Sequence, residues 1–141
     1  MITLHVGIDD TDSPRMGCTT YIASLLAERL HEIGVSFIDY PNLIRLNPNV
    51  PWKTRGNGAL CLRFKCNENL IEEIKTIAVD TVEKNSDIDY AGTEPGVVFF
   101  FGSRIPKEVT TFTKQTTQGI VKMREALKLI RAFRAEAVGF H

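Results

Sequence analysis

Three aspartates, Asp9, Asp10 and Asp12, fall within four residues of one another in the run Gly7-Ile8-Asp9-Asp10-Thr11-Asp12-Ser13. Carboxylates held close together suit Mg²⁺, which takes one or two protein carboxylates and completes its shell with water and substrate phosphates. A calcium loop fits poorly. With the template started at Asp10, Pro14 occupies the third ligand position and Arg15 the position that requires glycine. Next in the chain comes Gly17-Cys18-Thr19-Thr20, at the start of a helical pattern. A helix N-terminus presents unpaired N–H groups and a partial positive charge, which favours phosphate. The hydroxyls of Thr19 and Thr20 can bond phosphate there, or one can act as a nucleophile if a carboxylate takes its proton. The same residues also fit plainer roles, with Thr19 as an N-cap and the aspartates as turn formers.

A second stretch, residues 45–58, carries Lys53 and Arg55 in a frame set by Pro48 and Pro51, with Gly56 and Gly58 beside them. The prolines fix φ and pre-shape the loop, and the glycines allow close approach of the backbone to a ligand. In an extended segment, cations two residues apart project the same way. Lys53 as a compact charge and Arg55 as a bidentate fork are therefore equipped to clamp a polyphosphate. A glycine-rich turn with solvated cations is the plain alternative, and Trp52 reads as a packed aromatic.

The elements that must position these residues follow from periodicity. Residues 2–8 read as a strand that delivers the aspartates at its carboxyl end. Ile22, Leu25, Leu26, Leu30 and Ile33 share one helical face, and Gly34 is the stop. Residues 35–38 and 43–46 read as extended on either side of Pro41, and residues 59–66 as a strand. Leu70, Ile74, Ile77, Ala78, Thr81 and Val82 mark a second amphipathic helix. After an acidic linker around Asp87 and Asp89, residues 97–101 form an apolar run that reads as a strand buried on both faces. The order β-α-β-β-α-β predicts an α+β, ferredoxin-like sheet with two helices on it. A C-terminal helical region follows, with a short piece over 106–114 and a longer one over 119–137. We read a single catalytic-type domain over 1–141, with residues 1–104 as the core and 105–141 as a helical extension.

Composition narrows the classes. The chain has 141 residues, 43% of them hydrophobic, and Lys+Arg 17 balance Asp+Glu 17. That excludes a disordered chain, and it leaves any polyanion site to a local patch. From Thr110 onward, six basic residues face two acidic ones, for which a solvated helix face is the plain reading. Cys18, Cys61 and Cys66 form no C-x-x-C pair, and with His5, His31 and His141 they supply no closely spaced zinc ligands. The N-terminus has neither a signal peptide pattern nor a membrane span, so a cytoplasmic protein is expected. An RNA-recognition domain shares the element order, but its third strand needs stacking aromatics. Arg55-Gly56-Asn57-Gly58-Ala59-Leu60-Cys61-Leu62 offers none.

Taken together, Gly7-Ile8-Asp9-Asp10-Thr11-Asp12-Ser13, Cys18-Thr19-Thr20, and Leu43-Ile44-Arg45-Leu46-Asn47-Pro48 followed by Pro51-Trp52-Lys53-Thr54-Arg55-Gly56-Asn57-Gly58-Ala59 resemble the archaeal isoleucine-tRNA agmatinylcytidine synthetases, TiaS. The similarity spans essentially the whole chain and is strongest over residues 3–59. The resemblance implies a kinase-like domain of an ATP- and Mg²⁺-dependent ligase that attaches agmatine to the wobble cytidine of an isoleucine tRNA, releasing AMP and pyrophosphate. It implies catalytic and metal-holding roles for Asp9, Asp10 and Asp12 and a phosphorylated threonine at Thr19. It further implies phosphate binding by Lys53, Thr54, Arg55, Gly56 and Asn57, beside the Thr20 hydroxyl read above from the helix start. Family members continue into a further domain region, an oligonucleotide-binding fold and a zinc ribbon. The chain is accordingly expected to be a fragment or a short stand-alone relative, with the anticodon loop of the isoleucine tRNA (needing domains absent here) and agmatine as the partners the resemblance implies. The alternative is a non-catalytic nucleic-acid-binding module on the same fold, using the basic tail and the Lys53/Arg55 loop.

Overall fold

The computed structural model of the chain describes residues 1–50 and 58–139. Along the chain run β1 (Ile2–Asp9), α1 (Thr19–Glu32), β2 (Ser36–Phe37), β3 (Asn42–Arg45), β4 (Gly58–Cys66), α2 (Ile71–Asn85), β5 (Gly96–Phe101), α3 (Lys107–Gln118), α4 (Met123–Ala132) and β6 (Glu136–Gly139). The strands form one sheet in the order β2-β4-β1-β5-β6, with β3 also paired to β4. Every pairing is antiparallel. β2 and β3 together act as one edge strand interrupted around Pro41, which cannot donate to a ladder. The first six predicted elements therefore close as the expected ferredoxin-like sheet.

Side-chain alternation builds the core. Leu4, Val6 and Ile8 of β1, Leu62 and Phe64 of β4, and Val97 and Phe99 of β5 are essentially inaccessible on one face. Ile22, Leu26 and Leu30 of α1 and Ile74, Ala78 and Val82 of α2 cover that face. Phe64 meets Phe37 edge to face, with 5.8 Å between ring centroids. This is the two-layer solution for a sheet that is apolar on one side. β5 departs from expectation. Val97 and Phe99 are buried, but Val98 is 36% exposed, so its second face is not a packed core.

The tail also differs from a purely helical reading. α3 and α4 are present, but Gly119–Lys122 is not helical, and the chain leaves α4 at Phe133. Arg134, at φ 56°, reverses the direction, and β6 then pairs with β5, setting Val138 opposite Val97. Alternate pairing along an open sheet edge with a core-facing Val outweighs the helical preference of Ala135-Glu136-Ala137.

Candidate active site at the carboxyl end of strand β1

β1 ends at Asp9, and the chain turns at once. Asp10 has φ 56°, a left-handed conformation that Asp tolerates better than most residues. Gly17 closes the loop at φ +93°. A Cβ there would lie 2.8 Å from Asp12 Cα and 3.1 Å from the Thr11 carbonyl oxygen, so only glycine fits. The loop is then fastened from outside by residues 87–94. The Asp87 N–H donates to the Thr11 carbonyl (3.0 Å), and the Thr93 hydroxyl donates to the Asp12 carbonyl (3.1 Å). The Glu94 N–H donates to Asp10 Oδ2 (3.0 Å). The buried Asp87 carboxylate accepts from Ser13 Oγ (2.5 Å) and from both Nε and Nη2 of Arg15 (2.7 Å each). These bonds hold its pKa down to about 2, the Arg15 guanidinium being the larger cause. Arg15 also lies over the Tyr90 ring, 5.3 Å from its centroid. The segment read from sequence as an acidic linker is thus the buttress of the aspartate loop.

Asp9, Asp10, Asp12, Thr19 and Thr20 line one open cavity of about 760 Å³. Burial, reinforced by the nearby charges of Asp10 and Asp12, pushes the Asp9 carboxyl up to about 6. Asp10 is also raised, first by burial and then by Glu94 and Asp12. Carboxylates that hinder one another's ionisation form a hard-oxygen site that a cation would relieve. Among the described residues, no three His, Cys, Asp or Glu side chains converge as a ready-made ion cage. A magnesium site completed by water and substrate phosphates does not require one.

The N-cap of α1 is Cys18, not Thr19. It makes no side-chain capping bond, and the first turn contains no acidic residue. The leading N–H groups of α1 therefore lack side-chain caps beside the cavity. Thr19 is the first helical residue, and its hydroxyl is 2.7 Å from that of the fully buried Thr11.

Lys53, Thr54, Arg55, Gly56 and Asn57 lie outside the described residues. The flanking Val50 and Gly58 both border the cavity. Three wall residues were not expected from sequence. Arg45, opposite Gly58 in the β3–β4 ladder, is the one cation among the described lining residues. Glu94 adds a further carboxylate. Asn47 is 8% exposed, donates from its backbone N–H to the Thr116 carbonyl (3.0 Å) and from Nδ2 to the Gly119 carbonyl (3.2 Å). It thereby ties the end of α3 to the cavity rim. Its place between Leu46 and Pro48 in an exposed-looking loop gave no signal of this. No helix among the described residues is long and apolar enough to cross a membrane.

Comparison with known proteins bears on the family and the fold. The sequence profile of the TiaS TCKD domain matches residues 5–75. The tRNA(Ile2) 2-agmatinylcytidine synthetase TiaS of Pyrococcus horikoshii is 42% identical over 135 residues, covering 96% of this chain and 31% of that protein. The protein of the same name from Staphylothermus marinus is 56% identical over 75 residues, 52% of this chain and 16% of the relative. A crystal structure of a TiaS–tRNA(Ile2)–ATP complex superposes with a TM-score of 0.86 at 32% identity, covering all of this chain and 33% of that one. A TiaS–tRNA(Ile2)–AMPCPP–agmatine complex gives 0.89 at 29% identity, covering 100% and 33%. The chain thus spans about a third of the length of these relatives. It belongs to the TiaS TCKD domain family.

Proposed function

We propose that this chain is the ATP-handling portion of a tRNA(Ile) agmatinylcytidine-forming ligase, working with Mg²⁺ in the cytoplasm. The observation that carries this reading is the single cavity shared by Asp9, Asp10, Asp12, Thr19, Thr20, the start of α1 and Arg45. The three aspartates would hold Mg²⁺, which when bound neutralises charge on the phosphates. The α1 N–H groups and Thr20 would receive phosphate oxygens, and Arg45, with Lys53 and Arg55 from the adjoining loop, would balance the charge that develops in transfer. Thr54, Gly56 and Asn57 are assigned to the same phosphate grip by their motif. Thr19, at the cavity wall, is the hydroxyl suited to accept a phosphoryl group. Capture of the anticodon loop and of agmatine is assigned to an intact ligase of the relatives' length, about a third of which this chain spans.

ATP with Mg²⁺ should raise the melting temperature of this chain, since a ligand that binds only the folded state stabilises it by about 2.7 kcal/mol at a hundred times its Kd. Asp10→Asn should abolish the rise. In the full-length ligase, Asp10→Ala should stop AMP and pyrophosphate formation. Wild-type turnover in that variant would refute the assignment.

A further inference from the structure

Lys114, Lys122, Arg124, Lys128, Arg131 and Arg134 fall in one segment that contains a single acidic residue, Glu125. All six are exposed. Among the described residues none of the six makes an ion pair, whereas Arg15, Arg29, Arg63, Lys75 and Lys84 are each bonded to a carboxylate. In a chain with no net charge, six cations without an ion pair among the described residues are thus gathered on one helix and its flanks, while Arg45, Lys65, Arg104 and Lys107, which make none either, lie on other elements. Arg124, Lys128 and Arg131 stand at i, i+4 and i+7 and so form one stripe along α4. Lys128 also borders the groove between α3 and α4, together with Glu108 and Glu125.

Helix stability accounts for Arg131, in the last turn of α4, but not for the rest of the cluster. Like charges four apart are unfavourable, and Lys122 and Arg124 sit at the helix end whose dipole repels cations. The stripe is flanked by apolar side chains left in solvent: Ile120 is 66% exposed, Met123 73% and Leu127 39%. Unpaired cations interleaved with exposed apolar groups suit a sugar-phosphate backbone, whose phosphates need charge and whose sugars and bases offer apolar faces. The position also fits, because Gly119, Ile120 and Val121, which lead into α4, line the cavity that holds Asp9 and Thr19.

We infer that the α4 stripe is a docking surface for the backbone of an RNA strand, set beside the cavity so that a nucleotide of the bound strand can reach it. This rests on the ATP-dependent tRNA-modifying role proposed above. It adds a sequence-independent grip that this segment supplies itself.

The test is binding of the 141-residue chain to a short labelled RNA hairpin across a salt series, with a scrambled-loop hairpin as a second probe. Both RNAs should bind alike. The triple variant Arg124→Gln, Lys128→Gln, Arg131→Gln should lose about tenfold or more in affinity, and its log–log salt slope should fall by about two. Gln keeps the helical propensity, and an unchanged circular dichroism spectrum is expected if α4 survives. Unchanged affinity and slope in the variant would overturn the proposal. So would loss of binding to anionic phospholipid vesicles with RNA binding intact. Stabilisation by ATP is read on the same proteins: its absence from both counts against the nucleotide-handling role and leaves the RNA result standing.

Discussion

The hydroxyl oxygens of Thr11 and Thr19 are 2.7 Å apart, and Thr11 is wholly buried. A side chain at the cavity wall is thus oriented by one behind it in the aspartate loop. Thr11→Val removes that bond at nearly constant volume and should cost about 1 kcal/mol of stability. Nucleotide affinity should be unchanged. If Thr19 accepts a phosphoryl group, its labelling by ATP, read by intact mass, should slow about tenfold or more, since orientation at a reacting atom is sensitive to small displacements. Thr11→Ser should restore it. Wild-type labelling in Thr11→Val would remove Thr11 from any positioning role.

Gly17 is the sharpest steric constraint in the site. Its φ of +93° and a would-be Cβ contact of 2.8 Å with the Asp12 backbone act together. Gly17→Ala should destabilise the fold by about 1–3 kcal/mol from backbone strain. It should weaken ATP binding further, because relief of the clash displaces Asp12. Urea denaturation and nucleotide titration on the same variant separate the two effects.

Asp9 makes stability depend on pH in a stated direction. With its pKa raised from 3.8 to about 6, the folded state holds a proton that the unfolded state has already released. Stability therefore falls as pH rises from about 4 through about 6 and levels off above that. Asp9→Asn should abolish this component and stabilise the apo chain at neutral pH by up to about 3 kcal/mol. It should also remove the stabilisation conferred by Mg²⁺ with ATP. Melting curves of both proteins over that range check the sign.

Asp87 acts in the opposite sense. Its folded pKa is lowered to about 2 by Arg15 and Ser13, so its contribution is complete above the ordinary carboxylate range and is lost as pH falls toward 2. Asp87→Asn should lower the melting temperature at neutral pH, and the gap to wild type should narrow in acid. Because Asp87 holds the aspartate loop and lines no part of the cavity, moderate loss of stability should come with weakened, not abolished, nucleotide binding.

The sequence was informative where a local pattern had one geometric meaning. Leu4, Val6 and Ile8 alternate, and Leu26 and Leu30 repeat at helical spacing, so β1 and α1 and the loop between them were legible. The aspartates and Thr19 followed, because one strand-to-helix connection carries them. The buttress was not legible. Asp87 meets Arg15 across 72 residues, and no local period announces such a pairing. β6 was missed for a related reason: Ala135-Glu136-Ala137 prefers a helix locally, and only the open edge of β5 makes it a strand. Asn47 looked like an ordinary loop residue until α3 came to lie over it.

Arg45 gives the last prediction. It borders the cavity from β3 and is the one cation among the described lining residues, beside carboxylates, hydroxyls, an amide, a thiol and apolar groups. A guanidinium there is placed to meet phosphate oxygens brought in by ATP and to offset the acidic cluster across the cavity. Arg45→Gln should weaken ATP binding by about tenfold, equivalent to the loss of about 1.4 kcal/mol. Stability should be little changed, because Arg45 is exposed at a sheet edge. Arg45→Lys should recover only part of the affinity, since an ammonium keeps the charge but not the bidentate fork. Equal ATP affinity in wild type and Arg45→Gln, measured by calorimetry with Mg²⁺ present, would exclude a phosphate contact at this position and leave the neighbouring loop cations to supply it.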